Sequence, residues 1–276
     1  MLRLFIPRYF NQGSHSIVQI AMNLFFLKIF PIDVYGSITI VQIITNFYSG
    51  FTINSLVYFA TFDMKKKLRF FTIKSLLYFF IFAFIISQFC LLLDVNVLIG
   101  LFLVIKTHNF VLNEFFNRYC FNIKSNLIIY QLFVIRLIEI ISFLFIFWIY
   151  SFTDFLLILK FIIAIELILM IYAYFRLYNI SRNNFNKFSF YSMFKNEYLF
   201  NNIYNIVYYL KGHTSPILLG IFSLEAIGYF SSTRYFASPI TLLTPVLASI
   251  IISFITTQQN KSININFFNI IFFVIV

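Results

Sequence analysis

A chain of 276 residues that is 61% hydrophobic and 22% aromatic, with only 11% charged residues, carries more apolar surface than a soluble domain of that length can hide. Its mean hydropathy of +0.91 makes lipid the solvent to expect. The net charge of +11 invites nucleic acid as a partner, but the basic residues fall between apolar runs rather than on one soluble face, so no nucleic acid is expected.

Taken in chain order, apolar runs long enough to span a bilayer lie at about 14–30, 37–61, 73–93, 95–115, 127–150, 155–177, 198–222 and 228–255. A ninth begins near Phe267. The fold class expected is all-α: a polytopic bundle of about eight to nine transmembrane helices. The first run does not read as a cleavable leader, because Arg3 and Arg8 precede polar Gln12, Gly13 and Ser14 and no small-residue cleavage site follows. Cys90 and Cys120 fall at opposite ends of predicted spans, which argues against a disulfide and leaves no metal cluster.

Alternate connections divide the charges by sign. One set holds Arg3 and Arg8, then Lys65, Lys66, Lys67, Arg69 and Lys74, then Arg118 and Lys124, then Arg176, Arg182, Lys187 and Lys195, then Lys261. The other holds Asp33, Asp94, Asp154 and Glu225. By the positive-inside rule the basic set and the N-terminus are cytoplasmic and the acidic turns are outside. The outer turns are short, and the basic stretch 178–197 reads as a linker between a six-helix lobe, 1–177, and the start of a second lobe, 198–276.

A weak internal repeat agrees with that division. "FPIDVYG" (30–36) and "FSLEAIG" (222–228) share a Phe, an acid three residues on and a Gly three residues after that, each at an expected outer turn. Six helices lie between them, so the second lobe restarts where a six-helix repeat would, and a full second lobe would need more chain than these residues supply. The chain therefore reads as truncated.

Polar residues at helical spacing mark candidate faces within the spans. The first span carries Gln12, Ser16, Gln19 and Asn23; the second Thr39, Gln42, Asn46 and Ser49 or Gly50; the fourth Lys106, Asn109 and Asn113. The seventh carries Asn201, Asn205 and Tyr208, and the eighth Ser231, Arg234, Tyr235, Ser238 and Thr241. Interhelical hydrogen bonding worth roughly 0.6–2 kcal/mol each is one reading of such residues, and a lined cavity is the other.

Fourteen of the twenty basic residues lie in the cytoplasmic set, leaving Lys28, Lys106, Arg136, Lys160, Lys211 and Arg234 in or near spans. Glu139 and Glu166 oppose them, with Glu114 near a helix end. Arg136 and Glu139, at i and i+3, can pair, and structural pairing competes with a functional role there. Unpaired cations in hydrocarbon face water or await an anion. Gly212 and Pro216 interrupt the seventh run, as in broken transporter helices or a packing kink. His15 and His108 stand alone and carry no assignment. There is no HExxH, no phosphate-cradling Gly-rich loop and no paired carboxylates on one face, so no enzyme and no cofactor are expected.

The stretches "LKIFPIDVYG" (27–36) and "PILLGIFSLEAIGYFSSTRYFASP" (216–239) resemble the first-to-second and seventh-to-eighth helix junctions of the polysaccharide-biosynthesis, or O-antigen, flippases of the MOP exporter superfamily. The resemblance implies two six-helix lobes around a cationic, V-shaped cavity that opens alternately to each side of a bacterial inner membrane. Its cargo would be an undecaprenyl-diphosphate-linked oligosaccharide, a unit of lipopolysaccharide or a related surface polymer. Lys28 stands where the family often has Arg, and Ser215 where it often has Asp. Membrane lipids, a polysaccharide polymerase and chain-length proteins would be its neighbours.

On this reading Lys28, Lys106, Arg136, Lys211 and Arg234 bind the diphosphate, and Gln19, Asn23, Gln42, Asn46, Asn109, Asn205 and Ser238 line the cavity. Glu139 or Glu166 couples the cycle to protons or sodium. A drug or cation exporter of the same architecture, whose cavity would be net acidic, and a noncatalytic scaffold or inactive remnant are the rival readings.

Overall fold

The computed structural model describes residues 2–62, 64–122, 127–149, 155–181, 207 and 213–233. Six long helices run in order: α1 (Leu2–Ile29), α2 (Ile32–Phe62), α3 (Met64–Leu92), α4 (Val97–Asn122), α5 (Leu127–Ile149) and α6 (Phe155–Ser181). Two shorter helical stretches follow, His213–Phe222 and 224–233. Among the described residues three helices are long and apolar enough to cross a membrane, through Ser75–Leu92 of α3, Val97–Phe116 of α4 and Phe155–Ile180 of α6.

The connections follow from their residues. Pro31 has no amide hydrogen and ends α1, yet its carbonyl accepts the Tyr35 amide at 2.9 Å, so α2 starts at once. Asp33 then lies in the first turn of α2, where the helix dipole favours a negative charge. Between α3 and α4, Asp94 takes a φ of 52°, a region that short polar side chains tolerate. The Asn96 carboxamide oxygen accepts the Leu98 amide at 2.9 Å and so serves one of the free amides at the start of α4.

These starts correct two sequence expectations. The acids and glycines of the repeat were placed in outer turns, with helices beginning at 37 and 228; the structure begins them at 32 and 224. Asp33 and Glu225 therefore sit in first helical turns, and Gly36 and Gly228 sit inside helices. The physical reason is the preference of carboxylates for helix N-termini, which moves each boundary ahead of the acid. α6 likewise continues to Ser181, so 178–181 of the expected linker is helical, while 182–197 lies outside the described residues.

α4 is the axis of the bundle: it packs against each of the other five long helices. Its membrane-length stretch is 67% buried, against 22% for that of α3. α3 and α6 turn the large apolar side chains of Phe80, Phe84, Leu91, Ile168, Ile171 and Phe175 outward, which suits a lipid surface.

Burial divides into two apolar layers. One contains Phe26, Ile99, Phe102, Ile105, Ile158 and Ile162; the other contains Leu112, Phe116, Ile129, Leu132, Ala173 and Leu177. Along α4 the first ends at Ile105 and the second begins at Val111. What lies between them is polar.

The short stretch 224–233 lies across the start of α2. A methyl group on Gly36 would run into the Leu224 carbonyl, and one on Gly228 into the Ile32 carbonyl oxygen. No side chain could swing aside to relieve either contact, so glycine is required at both positions for helices this close.

Candidate functional site

Lys106 and Asn109 on α4, Arg136 and Glu139 on α5 and Glu166 on α6 fill the gap between the apolar layers. Each of the five is buried. Lys106 and Arg136 each stand nine residues into their helices, about 13 Å from the helix starts at 1.5 Å per residue. Lys106 is therefore near the middle of the membrane-length stretch of α4, Val97–Phe116, where a charge would be most costly in a bilayer.

Arg136 Nη1 donates to Glu139 Oε2 at 2.5 Å and to Glu166 Oε1 at 2.7 Å. Asn109 Nδ2 donates to Glu166 Oε2 at 2.6 Å and to the Glu166 main-chain oxygen at 2.7 Å. One guanidinium thus ties α5 to α6, and one carboxamide ties α4 to α6. The i, i+3 pairing of Arg136 with Glu139 read from the sequence is present. Glu166 as a second partner, thirty residues away, was not foreseen.

Lys106 differs from its neighbours. Its ammonium lies 5.5 Å from the centre of the Phe102 ring, yet Nζ is buried without a hydrogen bond, and so is Glu139 Oε1. With all four groups ionised, two cations face two carboxylates and the cluster is neutral. A small pocket, on the scale of a single water molecule, reaches Arg136 between Asn109, Asn113, Leu132 and Leu169.

The other expected site residues disperse. Lys28 is exposed at the last turn of α1, away from mid-span. Asn23 and Gln42 are buried on α1 and α2, and Asn23 Nδ2 makes no hydrogen bond; Gln19 and Asn46 are half-buried. Lys211, Arg234, Asn205 and Ser238 lie outside the described residues, so the basic site expected from both lobes is described only on the first. Lys160 is exposed on α6.

Sequence reasoning missed His108, which is not isolated. It is fully buried on another face of α4, its Nδ1 bonded to the Tyr48 hydroxyl of α2 and its Nε2 at 2.7 Å from the Tyr174 hydroxyl of α6. Tyr174 continues to Ser75 Oγ of α3 at 2.9 Å, and Ser75 donates to the Thr72 carbonyl at 3.0 Å. The direction of every hydrogen follows from that last acceptor. Ser75 spends its proton on Thr72, so it accepts from Tyr174; Tyr174 then accepts from His108 Nε2–H, and Nδ1 accepts from Tyr48. The available signal was the cost of a histidine in an apolar span, which demands partners, but those partners sit 60 and 66 residues away.

A third polar group closes one end of the α5–α6 contact, where Arg176 Nε donates to the Tyr172 hydroxyl at 2.8 Å and Gln131 Oε1 accepts from both Tyr172 and Arg176. Set against known protein families, curated proteins and solved structures, the chain matches none of them.

Proposed function

We propose that this chain belongs to an exporter that carries an anionic, lipid-linked oligosaccharide across a bacterial inner membrane by alternating access, with Lys106 as the group that meets the diphosphate. The observation that supports this reading is the Lys106 ammonium: buried within the polar layer, halfway along a membrane-length helix, and free of hydrogen bonds. A cation kept there at such cost suits an anion that arrives and leaves. Arg136 is held by two carboxylates, so its part in this reading is to fix the cluster. Lys28, Lys211 and Arg234 would extend the basic path, and Asn23, Gln42 and Asn109 would solvate sugar hydroxyls.

The resemblance of 27–36 and 216–239 to O-antigen flippases supports the cargo class, and the cytoplasmic N-terminus and the two-lobe plan of six-helix units belong to the same proposal. A cation exporter is favoured by one observation, the two buried carboxylates, but Glu166 has both oxygens engaged and Glu139 one. The test is capture of a long-chain prenyl diphosphate by the purified chain in lipid nanodiscs. Wild type is expected to bind it in competition with inorganic pyrophosphate, and Lys106→Gln to lose binding while remaining in the membrane. Selective binding of an organic cation instead would overturn the reading.

A further inference from the structure

We propose that Glu139 takes up a proton at Oε1 when the anionic headgroup binds at Lys106, so that proton and cargo enter the site together. The proposal rests on the reading that the cargo is an anion.

Two cations and two carboxylates cancel, so an arriving diphosphate meets no net positive charge. In a low-dielectric interior that matters, because uncompensated charge is strongly penalised. Arg136 cannot turn to the newcomer without abandoning two buried carboxylates. Protonating one carboxylate solves the problem: it leaves the cluster with one net positive charge and removes one of the two carboxylate charges that act on the Lys106 ammonium.

The hydrogen-bond pattern decides which carboxylate. Glu166 Oε1 accepts from Arg136 and Oε2 from Asn109, so a proton on either oxygen would point at a donor. Glu139 Oε2 accepts from Arg136, but its Oε1 is buried with no partner. The proton comes from the aqueous phase and forms an O–H bond at Oε1; no bond of the Arg136 guanidinium has to break.

The groups around Glu139 are consistent with a proton rather than a metal ion. The helices packed against α5 are α1, α4 and α6. Lys106 acts on Glu139 from α4, Glu166 from α6, and Arg136 from its own helix. Other charged groups are placed elsewhere: Lys28 and Lys160 are exposed, Arg176 is on Tyr172 and Gln131, and His108 is on Tyr48 and Tyr174. Glu114 is half-buried eight residues beyond Lys106 on α4, and the side chains of Arg118 on α4 and of Arg3, Arg8 and His15 on α1 lie outside the described residues. A hard cation needs a shell of oxygens. No group of three His, Cys, Asp or Glu able to hold a metal exists among the described residues.

The experiment is calorimetric titration of the full chain in nanodiscs with a long-chain prenyl diphosphate, in two buffers of different ionisation enthalpy. Wild type is expected to take up about one proton per molecule bound, and its affinity to fall about tenfold per pH unit where Glu139 is ionised. Glu139→Gln, whatever its affinity, is expected to bind without proton uptake. Should that variant fail to fold, the buffer and pH dependence of the wild type decides. Binding without proton uptake in the wild type overturns this proposal and leaves the anion carrier standing. Uptake that persists in Glu139→Gln also overturns it. Failure of the wild type to bind the probe overturns the anion reading, and this one with it.

Discussion

Gly36 and Gly228 are counterparts across one helix crossing: each is the fifth residue of its helix, and each faces the carbonyl of the residue that opens the other helix. The opening residues, Ile32 and Leu224, are also counterparts in the sequence repeat, so the crossing has approximate two-fold symmetry. Such a contact is backbone against backbone, and Cα–H···O contacts of this kind recur where helices meet closely.

Replacing Gly36 by Val is expected to force the two helices apart and destabilise the chain by about 1–3 kcal/mol, as overpacking does. Gly228→Val should cost a similar amount, and the double variant less than the sum, because one displacement relieves both clashes. Thermal unfolding in detergent measures all three.

Arg136→Met leaves two buried carboxylates without a cation and is expected to cost about 3–5 kcal/mol. Adding Glu139→Gln and Glu166→Gln to it should recover much of that loss. Yield of folded, monodisperse protein and its unfolding temperature report the outcome.

Tyr174→Phe removes the group that joins His108 to Ser75 and leaves the His108 Nε2–H without its acceptor. The expected loss is about 1–3 kcal/mol. Nitrogen chemical shifts of His108 in the wild type should report the neutral ring protonated on Nε2, and a ring protonated on Nδ1 instead would contradict the hydrogen directions derived from Thr72.

Lys106→Met is expected to weaken prenyl diphosphate binding by about 2–5 kcal/mol, the range for losing one partner of a buried charged contact. Its fold should survive better than that of Arg136→Met, because Lys106 makes no hydrogen bond and Arg136 makes two.

The helical character of the chain was legible because a bilayer demands long apolar runs, and those runs dominate the composition. Helix starts were not, since Asp33 and Glu225 read equally well as turn residues or as first-turn residues. Of the polar layer, the local part was legible: Arg136 with Glu139, and Lys106 with Asn109, are three apart on single helices. Its closure through Glu166 was not, because side-chain spacing within a helix says nothing about which helix stands opposite. For the same reason His108 looked solitary, although Tyr48, Tyr174 and Ser75 reach it from three other helices.

The hydrogen-bond series from Tyr48 to Thr72 has a mechanical meaning. It links α2, α4, α6 and α3 in turn, and its members cannot exchange partners singly because each hydroxyl has committed its only proton. Those four helices are thereby braced as one frame. α5 is joined to that frame at two levels, by Arg136 on Glu166 and by Gln131 on Tyr172 and Arg176.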